Sequence, residues 1–156
     1  MGRIKAIICD IDGVLLDTEH IFKKIEELGL TGSSKWEYFN RHANDYDVKI
    51  DSRVIEILET FAQNGFRIIF LTARAQEIES HTKAKIDMAI GLYANRIFNY
   101  LLLMRPYANY ESSENVKETW LNLLREKYEI YCALDDDASN CEMFAKNKIL
   151  TMQVHK

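Results

Sequence analysis

The chain has 156 residues, 47% hydrophobic and 28% charged, which fits one globular unit with an ordinary core and leaves no room for a second full domain. Its 20 Lys and Arg against 24 Asp and Glu give a formal charge of −4, excluding the basic excess behind stable coating of nucleic acid but not brief contact with a nucleic-acid end. Apolar stretches such as Leu101 to Met104 fall far short of the roughly 18 residues of a membrane span, and Met1-Gly2-Arg3 leads into a strand-like segment with no secretory pattern.

Cys9, Cys132 and Cys141 form no C-x-x-C pair and read as reduced core thiols. Together these features predict a cytoplasmic protein with no membrane partner.

In chain order, Ile4 to Cys9 is the first predicted strand, followed by Arg67 to Leu71, Tyr100 to Met104, Ile130 to Leu134 and Ile149 to Val154. The segment between the first two strands, residues 14–50, opens with a helix-like piece capped at Thr18 and closed at Gly29. It then becomes a polar, aromatic-studded run from Thr31 to Phe39, predicted to lie on the sheet as a small flap or cap. From Ser52, Val54, Ile57, Leu58, Phe61 and Ala62 keep helical period until Asn64-Gly65 stops it. Ile78 to Ile90, Val116 to Tyr128 and Ala138 to Lys146 are further helices, with Asp17 and Asp137 as caps. Strands alternating with helices imply βαβ units around a mainly parallel sheet.

Four of the five strand runs end in a reactive side chain: Asp10 with Asp12, Thr72 with Arg74, Arg105, and Asp135-Asp136-Asp137. A parallel sheet brings such ends to one edge, where open α/β sheets bind ligands. So many carboxylates in one crevice repel unless a hard cation neutralises them, and Mg²⁺ is the natural occupant. Thr72 offers a hydroxyl, and Ala73 after it a backbone N–H near a helix start. Lys117 falls near a helix N-terminus, where the macrodipole disfavours a cation unless something negative lies beside it. A phosphate held by Mg²⁺, Lys117 and Thr72, with Arg74 as a further candidate, fits all of these features.

In Asp10-Ile11-Asp12-Gly13, residues i and i+2 leaving a strand face the same side and Gly13 permits a tight turn. Asp10 there can attack phosphorus to give an aspartyl-phosphate, and Asp12 can move the proton. An apolar strand precedes the motif, which sets it apart from a calcium-binding loop. Trp36, Tyr38, Phe39 and Tyr46 could stack on a base at the rim, or simply pack the insertion onto the sheet. A receiver-like phosphoryl-accepting module shares the acidic crevice, and a phosphatase of a small metabolite shares the mechanism; both stand as alternatives.

Ile7 to Val14, Phe70-Leu71-Thr72-Ala73-Arg74, Lys117 and Leu134-Asp135-Asp136 resemble motifs I to IV of the haloacid dehalogenase (HAD) superfamily, in order. That resemblance implies a Rossmann-like three-layer α/β sandwich over residues 1–156 with a small or absent cap. It implies Asp10 as nucleophile, Asp12 as general acid and base, Thr72 and Lys117 on the phosphate, and Mg²⁺ on Asp10, the Asp12 carbonyl and an acid of the Asp135-Asp136 pair. A narrower similarity, through Leu103-Met104-Arg105-Pro106 and the Lys117 helix, is to the 3′-phosphatase domain of phage-type polynucleotide kinase/phosphatases. In that group the Arg matching Arg74 serves the reaction, and the implied transient partner is a phosphorylated nucleotide or nucleic-acid 3′ end. Ser113 stands where that group usually has Asp, and no G-x-x-x-x-G-K-[ST] loop for a kinase is present.

Overall fold

Side-chain alternation along strand β1 (Ile4–Cys9) decides the layers: Ile7 and Cys9 enter one apolar cluster, Ala6 and Ile8 the other. A computed structural model describes residues 2–156. β4 (Arg67–Ala75) divides in the same way, Ile68 and Phe70 against Ile69 and Leu71, and so does β6 (Tyr128–Asp135), with Cys132 and Leu134 opposite Ala133. Both faces are apolar because both are covered, as a parallel sheet requires.

With β5 (Tyr100–Arg105) and β7 (Leu150–Gln153), these strands form a parallel sheet in the order β5-β4-β1-β6-β7. Helices α3 (Ser52–Gln63) and α4 (Glu79–Tyr93) supply Ile55, Leu58, Ile86 and Ala89 to one face. Helices α5 (Ser113–Lys127) and α6 (Ala138–Lys146) supply Leu121, Leu124 and Phe144 to the other. The result is the expected Rossmann-like three-layer α/β sandwich. Because the chain runs β1, β4, β5 outward and then returns to the far side of β1, the order reverses between β1 and β6, where such sheets take their ligands.

Helix α3 follows its sequence signals closely. Asp51 caps it, accepting the Arg53 N–H at 3.1 Å, and Gly65 takes φ +82° after it. The Arg53 guanidinium, and then Lys156, hold the Asp51 carboxyl well below the usual carboxylate range.

Residues 14–50 hold more structure than the sequence suggests. A two-stranded antiparallel ribbon, β2 (Leu16–Asp17) with β3 (Lys49–Ile50), gathers the segment's two ends, and two helices stand between them, α1 (Glu19–Glu27) and α2 (Gly32–His42). The run from Thr31 to Phe39 is mostly helical. Gly32, Ser33 and Ser34 mask the helix by poor propensity, while Phe39 buried on one side and Arg41 and His42 in the last turn hold it. At α1 the cap is shared: Thr18 occupies the N-cap position without a side-chain bond, and Asp17 accepts the Glu19 N–H at 3.1 Å. Helix α4 passes through Gly91 to Tyr93. Among the described residues, no helix is long and apolar enough to cross a membrane.

Candidate active site

Asp10 leaves β1 still tied to the neighbouring strand, its N–H donating to the Leu134 carbonyl at 2.9 Å. That single bond places the Asp10 carboxyl beside the end of β6. Carboxylate oxygens of Asp10, Asp135 and Asp136 lie within 4.8 Å of one another. Lys117, buried on α5, puts its Nζ 3.0 Å from Asp10 Oδ1 and 2.6 Å from Asp135 Oδ2. It sits in the second turn of α5, and the two carboxylates are the negative neighbours its position calls for. Burial works to lower its pKa, yet the two acids outweigh burial and hold it charged.

Three carboxylates against one ammonium leave two negative charges uncompensated. Burial pushes the Asp10 carboxyl well above its usual range, and the charges of Asp135 and Asp12 add to this against Lys117. Asp136 is raised too, by burial and by Asp135. A hard divalent cation that takes carboxylate oxygens answers this imbalance, so the donor set fits Mg²⁺. Asp135 is itself fixed: its Oδ1 accepts the Asp137 N–H at 3.0 Å and the Asn140 side-chain amide at 3.2 Å. Asn140 Oδ1 is buried with no hydrogen-bond partner among the described residues, an acceptor that a hydrated cation would satisfy. Asn140 escaped the sequence reading, where a lone Asn behind the Asp137 cap carries no signal.

Thr72 stands where β4 slips out of register with β5, between Leu71 and Ala75. Its Oγ1 accepts the Arg74 N–H at 3.1 Å, leaving its O–H free to donate into the cleft. The expected helix start after Thr72 is absent. β4 runs on to Ala75, a 3₁₀ turn follows, and α4 begins only at Glu79, so Ala73 offers its backbone from a bulged strand and not from a helix N-terminus.

Arg74 departs from the role of phosphate ligand that its position suggested. Its guanidinium is buried, and all five N–H groups are in use: Nε and Nη2 fork onto Asp12 at 2.9 and 2.7 Å, Nη2 also reaches the Ala43 carbonyl, and Nη1 reaches Asn44 Oδ1 at 2.7 Å and Thr82 Oγ1. No donor is left for a substrate oxygen. Arg74 instead fixes where the Asp12 carboxylate sits. Asn44 and Thr82, which complete this network, belong to no motif. Arg105 is a brace of another kind, donating to the Ala73 and Glu111 carbonyls at 3.1 and 2.5 Å.

Gly13 closes the first turn with φ +76°, and a Cβ built there collides with the Asp136 carboxylate. Gly13→Ala is therefore expected to lower stability by about 1–2 kcal/mol through left-handed strain and to displace Asp136. Melting temperatures with and without Mg²⁺ check this, since displacement of Asp136 shrinks the stabilisation by the ion.

The cleft over these groups is about 1020 Å³. It is lined by Asp10, Asp12, Thr72, Ala73, Arg74, Lys117 and Asp136, while Asp135 is buried against Lys117. Of the four aromatics singled out in the insertion, Trp36 and Phe39 line the cleft. Tyr38 packs on His42, and Tyr46 is fully exposed elsewhere.

The profile of the polynucleotide kinase PNKP phosphatase domain matches residues 4–156. Among solved structures, a chain of a Pnkp1/Rnl/Hen1 complex superposes with a TM-score of 0.71 at 24% identity over 99% of this chain and 47% of that one. A class C acid phosphatase from Bacillus anthracis gives 0.66 at 16% identity, over 95% and 63% of the two chains. A haloacid dehalogenase-like hydrolase from Streptococcus pneumoniae gives 0.62 at 14%, over 97% and 85%. At these identities the likeness is one of fold, and the chain spans less than half the length of the Pnkp1-complex chains it matches. A search of curated protein sequences found no match. With motif residues meeting at one strand edge and a family profile spanning nearly every residue, the chain belongs to the PNKP phosphatase-domain family of the HAD superfamily, hydrolases of phosphate monoesters.

Proposed function

We propose that the chain is a Mg²⁺-dependent 3′-phosphatase that works through an aspartyl-phosphate on Asp10 and acts on nucleic-acid 3′ ends or nucleotides, which it contacts only transiently. The observation that carries this reading is the meeting of Asp10, Asp135, Asp136 and Lys117 beside an Asp12 held by Arg74. Membership in a phosphatase family sets aside the receiver-like alternative. The substrate class is supported by the same family, and by a structural neighbour that is part of an RNA repair complex.

The chain's own residues divide the work. An Asp10 oxygen bonds to phosphorus as the bond from phosphorus to the leaving oxygen breaks, and Asp12 gives that oxygen its proton. Water then yields a proton to Asp12 and attacks phosphorus, the bond to Asp10 breaks, and inorganic phosphate leaves with both carboxyl groups restored. Lys117, 3.0 Å from the nucleophilic carboxylate, keeps positive charge beside the phosphoryl oxygens, and the Thr72 hydroxyl donates to one of them. Mg²⁺, held by Asp10, the Asp12 carbonyl and an acid of the Asp135-Asp136 pair, would neutralise charge on the transferring group.

Phosphate release tests this with 3′- and 5′-phosphorylated oligonucleotides and a nucleoside 3′-monophosphate. Release from the 3′ substrates that stops on chelation is the expected result. Release only from 5′ ends, or release untouched by chelator, would overturn it.

A further inference from the structure

Away from the catalytic group, the cleft has an aromatic wall built by the 14–50 segment. Phe39 is its buried base, Phe22 stacks on Phe39 with centroids 5.0 Å apart, and Trp36 meets Phe39 edge-on at 6.1 Å. Packing alone would bury these rings, yet Phe22 is 38% and Trp36 51% exposed, and both line the cleft. Lys35 lies 4.8 Å from the Trp36 ring centroid and steadies the indole. Tyr110, 94% exposed, lines the same cleft from the loop between β5 and α5.

The charge of the cleft narrows what this wall receives. Asp17, Glu19, Glu77 and Glu111 line it beyond the catalytic acids. Its lysines and arginines are already committed: Arg74 to Asp12, Lys117 to Asp10 and Asp135, Arg105 to backbone carbonyls, and Lys156 to Asp51 and the Val14 carbonyl. A polynucleotide backbone needs cations to replace its counterions, and this cleft spares no lysine or arginine. A flat π-face needs only another.

We propose that Phe22 and Trp36 seat the base of the terminal nucleoside, so that the enzyme recognises one nucleoside by stacking and does not read the backbone upstream of it. This rests on the 3′-phosphatase reading and names what that site selects. Two consequences follow. A nucleoside 3′-monophosphate and a 3′-phosphorylated oligonucleotide have similar kcat/KM, and added monovalent salt weakens both by the same small factor. An abasic sugar 3′-phosphate is the poorer substrate through KM.

The test measures kcat and KM for these three substrates with the wild-type chain, Trp36→Phe and the Phe22→Ala/Trp36→Ala double variant. The double variant is expected to lose the preference for nucleotide over abasic sugar phosphate by about tenfold or more, in KM, while Trp36→Phe keeps most of it. Quenching of Trp36 emission by a nucleoside 3′-phosphate in Asp10→Asn reads binding without turnover, against the background of Trp120, whose indole N–H donates to the Met104 carbonyl. An unchanged preference in the double variant, or an oligonucleotide favoured by orders of magnitude with steep salt dependence, overturns the proposal and leaves the phosphatase reading standing. Absence of turnover on every phosphomonoester overturns the phosphatase reading instead, and the quenching then decides the wall: none in Asp10→Asn refutes it.

Discussion

Asp10→Asn is expected to abolish turnover, by at least about 10⁴-fold in kcat, while the chain stays folded. The amide keeps the shape of the carboxyl but has no anionic oxygen to bond to phosphorus. Stability should move in the opposite direction from activity. Burial raises the Asp10 carboxyl above its usual range, with Asp135 and Asp12 adding to the effect, so in the ion-free protein its ionised form weighs against folding. For an acid whose pKa is raised on folding, that penalty is absent in acid and grows as pH rises from the unfolded towards the folded value. The ion-free variant should therefore match or exceed the wild type in melting temperature at neutral pH, and the difference should close as pH falls through that window. Mg²⁺ should stabilise the variant less than the wild type, because one carboxylate of the cluster is gone. Retained turnover in a folded variant would remove Asp10 from the nucleophile's role. A variant that melts well below the wild type would show that Asp10 is held chiefly by its ion pair with Lys117.

Much of this arrangement was legible in the sequence because it depends on the ends of strands. Alternation and short apolar runs locate β1, β4 and β6, and a parallel sheet then forces Asp10, Thr72 and Asp135 to one edge whatever the loops do. The reach of side chains was not legible. Arg74 and Lys117 are both cations near strand or helix ends, yet one spends every donor on Asp12, Thr82 and the insertion while the other stays beside the nucleophile. No spacing rule separates them, since the partners of Arg74, Ala43 and Asn44, come from a turn some thirty residues upstream. The bulge at Thr72 is a misfit between neighbouring strands and leaves no mark in either strand alone. Helix α2 was hidden for a different reason, its stability coming from Phe39 against the rest of the insertion and not from local propensity.

Arg74→Lys is expected to lower kcat by about 10²-fold or more, with a smaller effect on KM. A lysine keeps the charge but replaces a planar fork with one ammonium, which cannot span both Asp12 oxygens while serving Ala43, Asn44 and Thr82. Some loss of stability follows, about 1–3 kcal/mol, since buried acceptors lose their donor. Stability alone would not distinguish a brace from a positioning residue, but the leaving group does. A proton from Asp12 matters when the departing oxygen is a poor leaving group, such as a sugar hydroxyl, and hardly at all for nitrophenolate. The variant should therefore lose far more kcat on a nucleoside 3′-phosphate than on p-nitrophenyl phosphate. Asn44→Ala, which removes one support of the guanidinium and leaves the fork intact, should show the same pattern more weakly. Equal losses on both substrates would mean that Arg74 holds the insertion in place and has no part in aiming the proton.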